Sequence, residues 1–158
     1  MQAVYYGLRR AGNRDCGSGS ARRRLAYAVS VLLDWQTGDL AQGLRCYRSG
    51  AFWDAHEHWE IVWRELPEPE KNFLRALIQM AAAFHHVQQN NTRGAASLLG
   101  KALGRLERCP QDFGGVDAAR LRGEAAAWAR ALEEAAVERR PAEFPRIRVL
   151  MPRKEFDR

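Results

Sequence analysis

The sequence predicts an all-α protein, a single compact bundle of five or six helices with weakly ordered basic termini. Three observations carry this. Apolar residues recur at i, i+3, i+4 and i+7 along most of residues 25–139. Proline, glycine and asparagine interrupt that periodicity at intervals of one ordinary helix. No stretch alternates apolar and polar residues with the turn spacing of a hairpin. At 158 residues, 46% of them hydrophobic and 28% charged, the chain is the size and balance of one globular domain that buries a core without disulfide staples.

The elements follow in order. Leu25, Val29, Leu32 and Leu33 suggest a helix over 21–35, weakened by the β-branched residues among them. Leu40, Leu44 and Tyr47 define a helix over 39–48, with Gly50 as its stop. A third helix runs over 52–66 and ends at Pro67 and Pro69, which lack a backbone donor. The fourth, over 70–89, is apolar around most of its circumference and is the expected spine. Thr92 is the candidate cap of a fifth helix, whose Ala95, Leu98, Leu99, Ala102, Leu103 and Leu106 form one face up to Cys109-Pro110. Asp117 is the candidate cap of a last helix, with Leu121, Ala125, Trp128 and Leu132 at i, i+4, i+7 and i+11, ending near Arg139.

The formal charge of +6 raises the question of an anionic partner, and its distribution answers it. Residues 1–24 hold six cations against one acid, residues 139–158 seven against three, and residues 25–138 only 12 against 15. The basicity therefore belongs to a leader over 1–24 and a tail over 140–158, both rich in Gly, Ser, Pro or Arg and expected to be weakly ordered. The helical domain between them, 25–139, shows no basic stripe on any helix face, so nucleic acid is an expected partner only through the tails. Three cysteines, Cys16, Cys46 and Cys109, form no Cys-x-x-Cys pair, which suits a reducing cytoplasm. No segment reaches the length of a membrane-spanning helix.

The richest stretch is Phe52-Trp53-Asp54-Ala55-His56-Glu57-His58-Trp59-Glu60-Ile61-Val62-Trp63-Arg64. On a helical wheel Phe52, Ala55, Trp59, Val62, Trp63 and Leu66 form one apolar arc, and His56 and Glu60 continue it. Glu57 lies at the arc's edge, while Asp54, His58 and Glu65 point to solvent. On the next helix His85 lies between Leu74 and Ile78, and Gln79 and His86 share another side with Arg75. A short turn makes the two helices antiparallel neighbours, so His56, Glu60 and His85 are expected to converge. Trp53, Trp59 and Trp63 read as core rather than as a base-stacking platform.

These residues resemble the domain of unknown function family 309. The resemblance rests on Gly50-Ala51-Phe52-Trp53-Asp54-Ala55-His56-Glu57 with Trp59, Glu60 and Trp63, on Leu77-Ile78-Gln79-Met80-Ala81-Ala82-Ala83-Phe84-His85, and on Gly94-Ala95 and Leu98-Leu99. It spans about residues 38–120 and implies a small all-helical protein without an assigned activity. The positions matching the family's polar signature are His56, Glu57, Glu60 and His85, with Gln79 kept less uniformly.

Two functions from different classes are consistent with this pattern. In one, the cluster of His56, Glu57, Glu60, His85 and Gln79 binds a small polar ligand or a divalent metal. His56, Glu60 and His85 are the candidate metal ligands, because mixed imidazole and carboxylate donors suit zinc, iron or manganese. The spacing His56-Glu57-x-x-Glu60 puts a carboxylate where a zinc protease needs its second histidine, so that chemistry is excluded. In the other, the protein is non-catalytic and Glu60 and His85 form a buried network that fixes the two helices in register. Its partner contact is then made by the Arg-rich tails, and a second copy of the chain is a further candidate partner.

Overall fold

The computed structural model describes residues 33–135 and 137–150, and within them five periodic stretches form α-helices. They are α1 (Gly38–Arg48), α2 (Phe52–Glu65), α3 (Glu70–Gln88), α4 (Thr92–Leu106) and α5 (Ala118–Glu133). Short 3-10 turns cover Phe113–Gly115 and Val137–Arg139. Successive helices pack on one another, α1 on α2, α2 on α3, α3 on α4 and α4 on α5. The result is the predicted all-α bundle. Among the described residues there is no strand, and an isolated bridge joins Val116 to Val149. The basic leader, all but the end of the helix expected over 21–35, and residues 151–158 lie outside the described residues. Residues 33–37, which are described, are not helical.

The spine is α3, as its apolar circumference predicts. Phe73, Leu74, Ala76, Leu77, Met80, Ala81, Ala83 and Phe84 are all fully buried, and only one side of the helix reaches solvent. Helix α2 is peripheral by contrast, burying only Phe52, Ala55 and Trp59. It leans closely on α1 because of one residue without a side chain. Trp59 donates its indole N–H to the Leu40 carbonyl at 3.1 Å, and a Cβ on Gly43 would fall inside that indole. Gly50 then ends α1 with φ +81°, a conformation glycine adopts without strain.

Two caps differ in outcome. Asp117 caps α5 as predicted, accepting from the Arg120 N–H at 3.0 Å. Helix α4 is capped one residue earlier than predicted, by Asn91, whose side chain accepts from the Gly94 N–H at 3.0 Å. The Thr92 hydroxyl instead accepts from Arg140 at 3.3 Å.

The expected boundary at Arg139 is corrected on both sides. Helix α5 stops at Glu133, and Ala135 takes φ +51°. Residues 140–150 are then a strap fastened to the core rather than the start of a loose tail. Phe144 stacks on Trp128 at 4.9 Å and meets Phe52 at 4.8 Å and Phe84 at 4.9 Å. Ile147 is buried. The strap's backbone is held as well, by Tyr47 Oη on the Pro145 carbonyl (2.7 Å), Trp128 Nε1 on the Glu143 carbonyl (2.9 Å) and Asp117 N on the Arg148 carbonyl (3.0 Å). Burial pushes the Tyr47 phenol up, with the Glu124 charge adding to it, so that hydroxyl remains a neutral donor.

Candidate functional site

Trp53, His56, Glu60 and Trp63 stand at i, i+3, i+7 and i+10 on α2 and therefore share one stripe. Two contacts fix how that stripe meets α3. The Trp53 ring lies 5.4 Å from the His85 ring, and the Trp63 ring lies 4.7 Å from the Arg75 guanidinium. These pairs set an antiparallel register in which His56 lies opposite Ala82 and Glu60 opposite Ile78. The seam between α2 and α3 is thus aromatic at both ends and polar in the middle.

His56 is the pivot of the seam. Its Nε2 is 3.5 Å from Glu60 Oε1, a pairing one helical turn apart. Its ring is stacked under the Trp53 indole, with centroids 4.9 Å apart and planes within 10° of parallel. Its Nδ1 is buried and has no hydrogen-bond partner among the described residues. The His56 side chain is 18% exposed and that of Glu60 is 42% exposed. This is a half-open pair on one helix, not the buried cross-helix network expected of Glu60 and His85. His85 touches the edge of the seam through Trp53.

The remaining candidate residues separate from this group. Glu57 is exposed on the outer side of α2. Gln79 turns toward α4, where its Oε1 accepts from Arg105 Nε at 3.0 Å. His58, expected to point to solvent, instead reaches α1, with Nδ1 2.8 Å from Asp39 Oδ1. His86 pairs with the Asn91 side chain at 3.1 Å. The convergence drawn from the wheel therefore holds for His56 and Glu60 and extends to His85 only through Trp53, while Glu57 and Gln79, the other members of the candidate cluster, lie apart.

Among the described residues no group of three or more His, Cys, Asp or Glu side chains is arranged to hold a metal ion. His56, Glu60 and His85 do not form the three-donor set that their spacing suggested. Zinc, iron or manganese thus has no assembled donor set in this seam. Nucleophilic chemistry through Cys109 is also disfavoured, because burial pushes its thiol up although the Arg122 charge opposes this.

The tryptophans divide three ways. Trp59 is fully buried in the core, as predicted, but Trp53 is 48% exposed. Trp63 is half-buried, flanked by Lys71 Nζ and the Arg75 guanidinium at 4.7 Å each. The signal for Trp53 was present in the sequence, since on the wheel it falls beside His56 and Glu60 rather than within the apolar arc. The signal for Lys71 and Arg75 was their position just after the Pro67–Pro69 turn, which returns them to the last turn of α2. Lys71 and Arg75, one turn apart and partly exposed, put two cations on a side of α3 expected to carry no basic stripe.

No described helix is long and apolar enough to cross a membrane. Residues 40–98, from the first turns of α1 to the middle of α4, match the family model described as "Domain of unknown function (DUF309)". That segment is narrower than the 38–120 drawn from the motifs and contains the whole seam. An "Uncharacterized protein" of Aquifex aeolicus (strain VF5) is 31% identical over 84 residues, which is 52% of this chain and 25% of that protein. The chain thus spans about a quarter of the length of the curated relative it matches.

Proposed function

We propose that the segment matching this family of unknown function uses the α2–α3 seam to bind a small polar ligand in the cytoplasm. The observation that supports this best is His56, whose Nε2 meets Glu60 while its Nδ1 is buried without a partner under a half-exposed tryptophan. A buried polar atom without a partner costs stability, and a ligand that supplies the missing bond recovers it. Each side chain has a role in this reading. Trp53, 48% exposed, offers a flat molecule the part of its indole that His56 does not cover. Glu60, with two carboxylate oxygens and one long contact, accepts hydrogen bonds from the ligand's donors. His85 bounds the site on the α3 side. A flat, donor-bearing molecule such as an aminoheterocycle fits this set.

The test is a panel of small aminoheterocycles, 2-aminopyridine and 2-aminopyrimidine among them, titrated into the ¹⁵N-labelled protein. The expected result is saturable shifts at Trp53, His56 and His85, reduced at least tenfold in affinity by Glu60→Gln. Zinc is titrated in parallel. Stoichiometric zinc binding abolished by His56→Asn and His85→Asn would replace the small-ligand reading with a metal one.

A further inference from the structure

Between Glu70 and Glu107 the chain contains no aspartate or glutamate. Residues 71–106 hold Lys71, Arg75, Arg93, Lys101 and Arg105, together with His85 and His86. They comprise nearly all of α3 and the whole of α4, which pack against each other. Apart from the buried Glu70 that opens α3, the acids of the folded body therefore lie on its other elements.

Three of these cations are held in place by neutral groups. Arg105 on α4 donates through Nε to Gln79 Oε1 at 3.0 Å and through Nη1 to Asn72 Oδ1 at 2.8 Å, both acceptors lying on α3. Lys71 and Arg75 are both held against the ring of Trp63. Lys71 also donates to the Arg64 carbonyl at 3.4 Å. Glu68 turns its carboxylate to the Asn72 backbone N–H at 3.0 Å. Among the described residues no carboxylate lies within ion-pair distance of Lys71, Arg75 or Arg105. Elsewhere among the described residues three arginines are paired with carboxylates, Arg120 with Glu124, Arg139 with Glu134 and Arg146 with Glu143.

A cation positioned by amides and aromatic faces keeps its charge available, whereas one positioned by a carboxylate does not. Asn72, Arg75 and Gln79 follow each other along one side of α3, so the two acceptors of the Arg105 fork share that side with Arg75. The side chains are ordered before any ligand arrives, so little entropy is lost when one binds.

We infer that Lys71, Arg75 and Arg105 form a binding site for a small dianion, a phosphate monoester or a dicarboxylate, at the α2-turn end of the α3–α4 face. Arg105 supplies a directed fork and Lys71 and Arg75 supply flanking charge. The site lies about 15 Å along α3 from His85, since ten residues separate Arg75 from it at 1.5 Å each. It rests on observations other than those at His56, with Trp63 bordering both sites. A compact cluster of three cations suits a small ligand better than the long backbone of a nucleic acid, which needs charge spread along its track.

The experiment uses the full chain, with inorganic phosphate and malonate titrated separately at constant ionic strength maintained with chloride, and binding followed by ¹⁵N NMR of arginine Nε groups. The expected result is saturable binding of at least one dianion, with Arg105 Nε shifting. Arg75→Gln should weaken binding at least tenfold and Arg120→Gln should leave it unchanged. Gln79→Glu is the sharper variant, because it keeps Arg105 and the fold but gives the guanidinium an internal anion, and it too should weaken binding at least tenfold. Tighter binding of phosphate than malonate assigns the phosphate class, and the reverse assigns the dicarboxylate class. Absence of saturable binding by either dianion, wild-type affinity in Gln79→Glu, or binding of duplex DNA alone would overturn the inference.

Discussion

Single residues decide how α1, α2 and α3 approach one another. In a solvated helix, Gly43→Ala would add up to about 1 kcal/mol of helix propensity. Here the new methyl meets the Trp59 indole, which is fixed by its bond to the Leu40 carbonyl and cannot give way. Overpacking of this kind costs about 1–3 kcal/mol, so Gly43→Ala should lower the urea midpoint despite its better propensity. The two neighbouring tryptophans should separate sharply in the same assay. Trp59→Ala should cost about 3–5 kcal/mol as a cavity in the core, whereas Trp53→Ala, half in solvent, should cost about 1 kcal/mol or less. Equal losses would show that Trp53 is a core residue after all. At this scale the sequence made His56 and Glu60 legible, because a helical wheel places residues on one helix relative to each other. It could not show that His85 would meet the seam only through Trp53, or that Gln79 would be taken by Arg105, since partners on other helices depend on packing register.

Among the elements, the helices were legible and the strap was not. Helical periodicity is local, and Leu121, Ala125, Trp128 and Leu132 declare α5 without reference to anything else. The strap has no period. Its anchors Phe144 and Ile147 sit among prolines and arginines, and their burial depends on a slot formed by Phe52, Phe84 and Trp128 from three different helices. Truncation after Arg139 should therefore open that slot and lower the thermal midpoint by several degrees or more. Glu124 gives the strap a pH dependence. Burial acts to raise its pKa, but bonds from the Arg146 backbone N–H and the Arg120 side chain, with the Arg120 and Arg148 charges, outweigh burial and hold it low. A carboxylate with a depressed folded-state pKa contributes stability that is complete above its unfolded value and is lost as pH falls through the folded one. Stability should thus decline below the ordinary carboxylate range near pH 4, and Glu124→Gln should flatten that part of the curve. An unchanged acid limb would remove Glu124 from the account.

For the whole molecule, net charge conceals the arrangement that matters. The chain's +6 looked like a property of its ends, with the body at 12 cations against 15 acids. Within that body the acids lie outside residues 71–106, which leaves α3 and α4 basic while their neighbours carry the negative charge. The central claim is that the seam beside this face takes a ligand at Trp53, His56 and Glu60. The five tryptophans provide its most direct test, because each indole N–H has a different environment. Those of Trp35, Trp59 and Trp128 are bonded to the carbonyls of Gly114, Leu40 and Glu143, that of Trp63 is buried without a partner among the described residues, and Trp53 is half exposed. An aminoheterocycle titration followed on these five indole resonances should shift Trp53 saturably and leave the three bonded indoles in place. Saturable binding that shifts any of those three while Trp53 stays fixed, or no shift at Trp53 across the panel, would contradict the account.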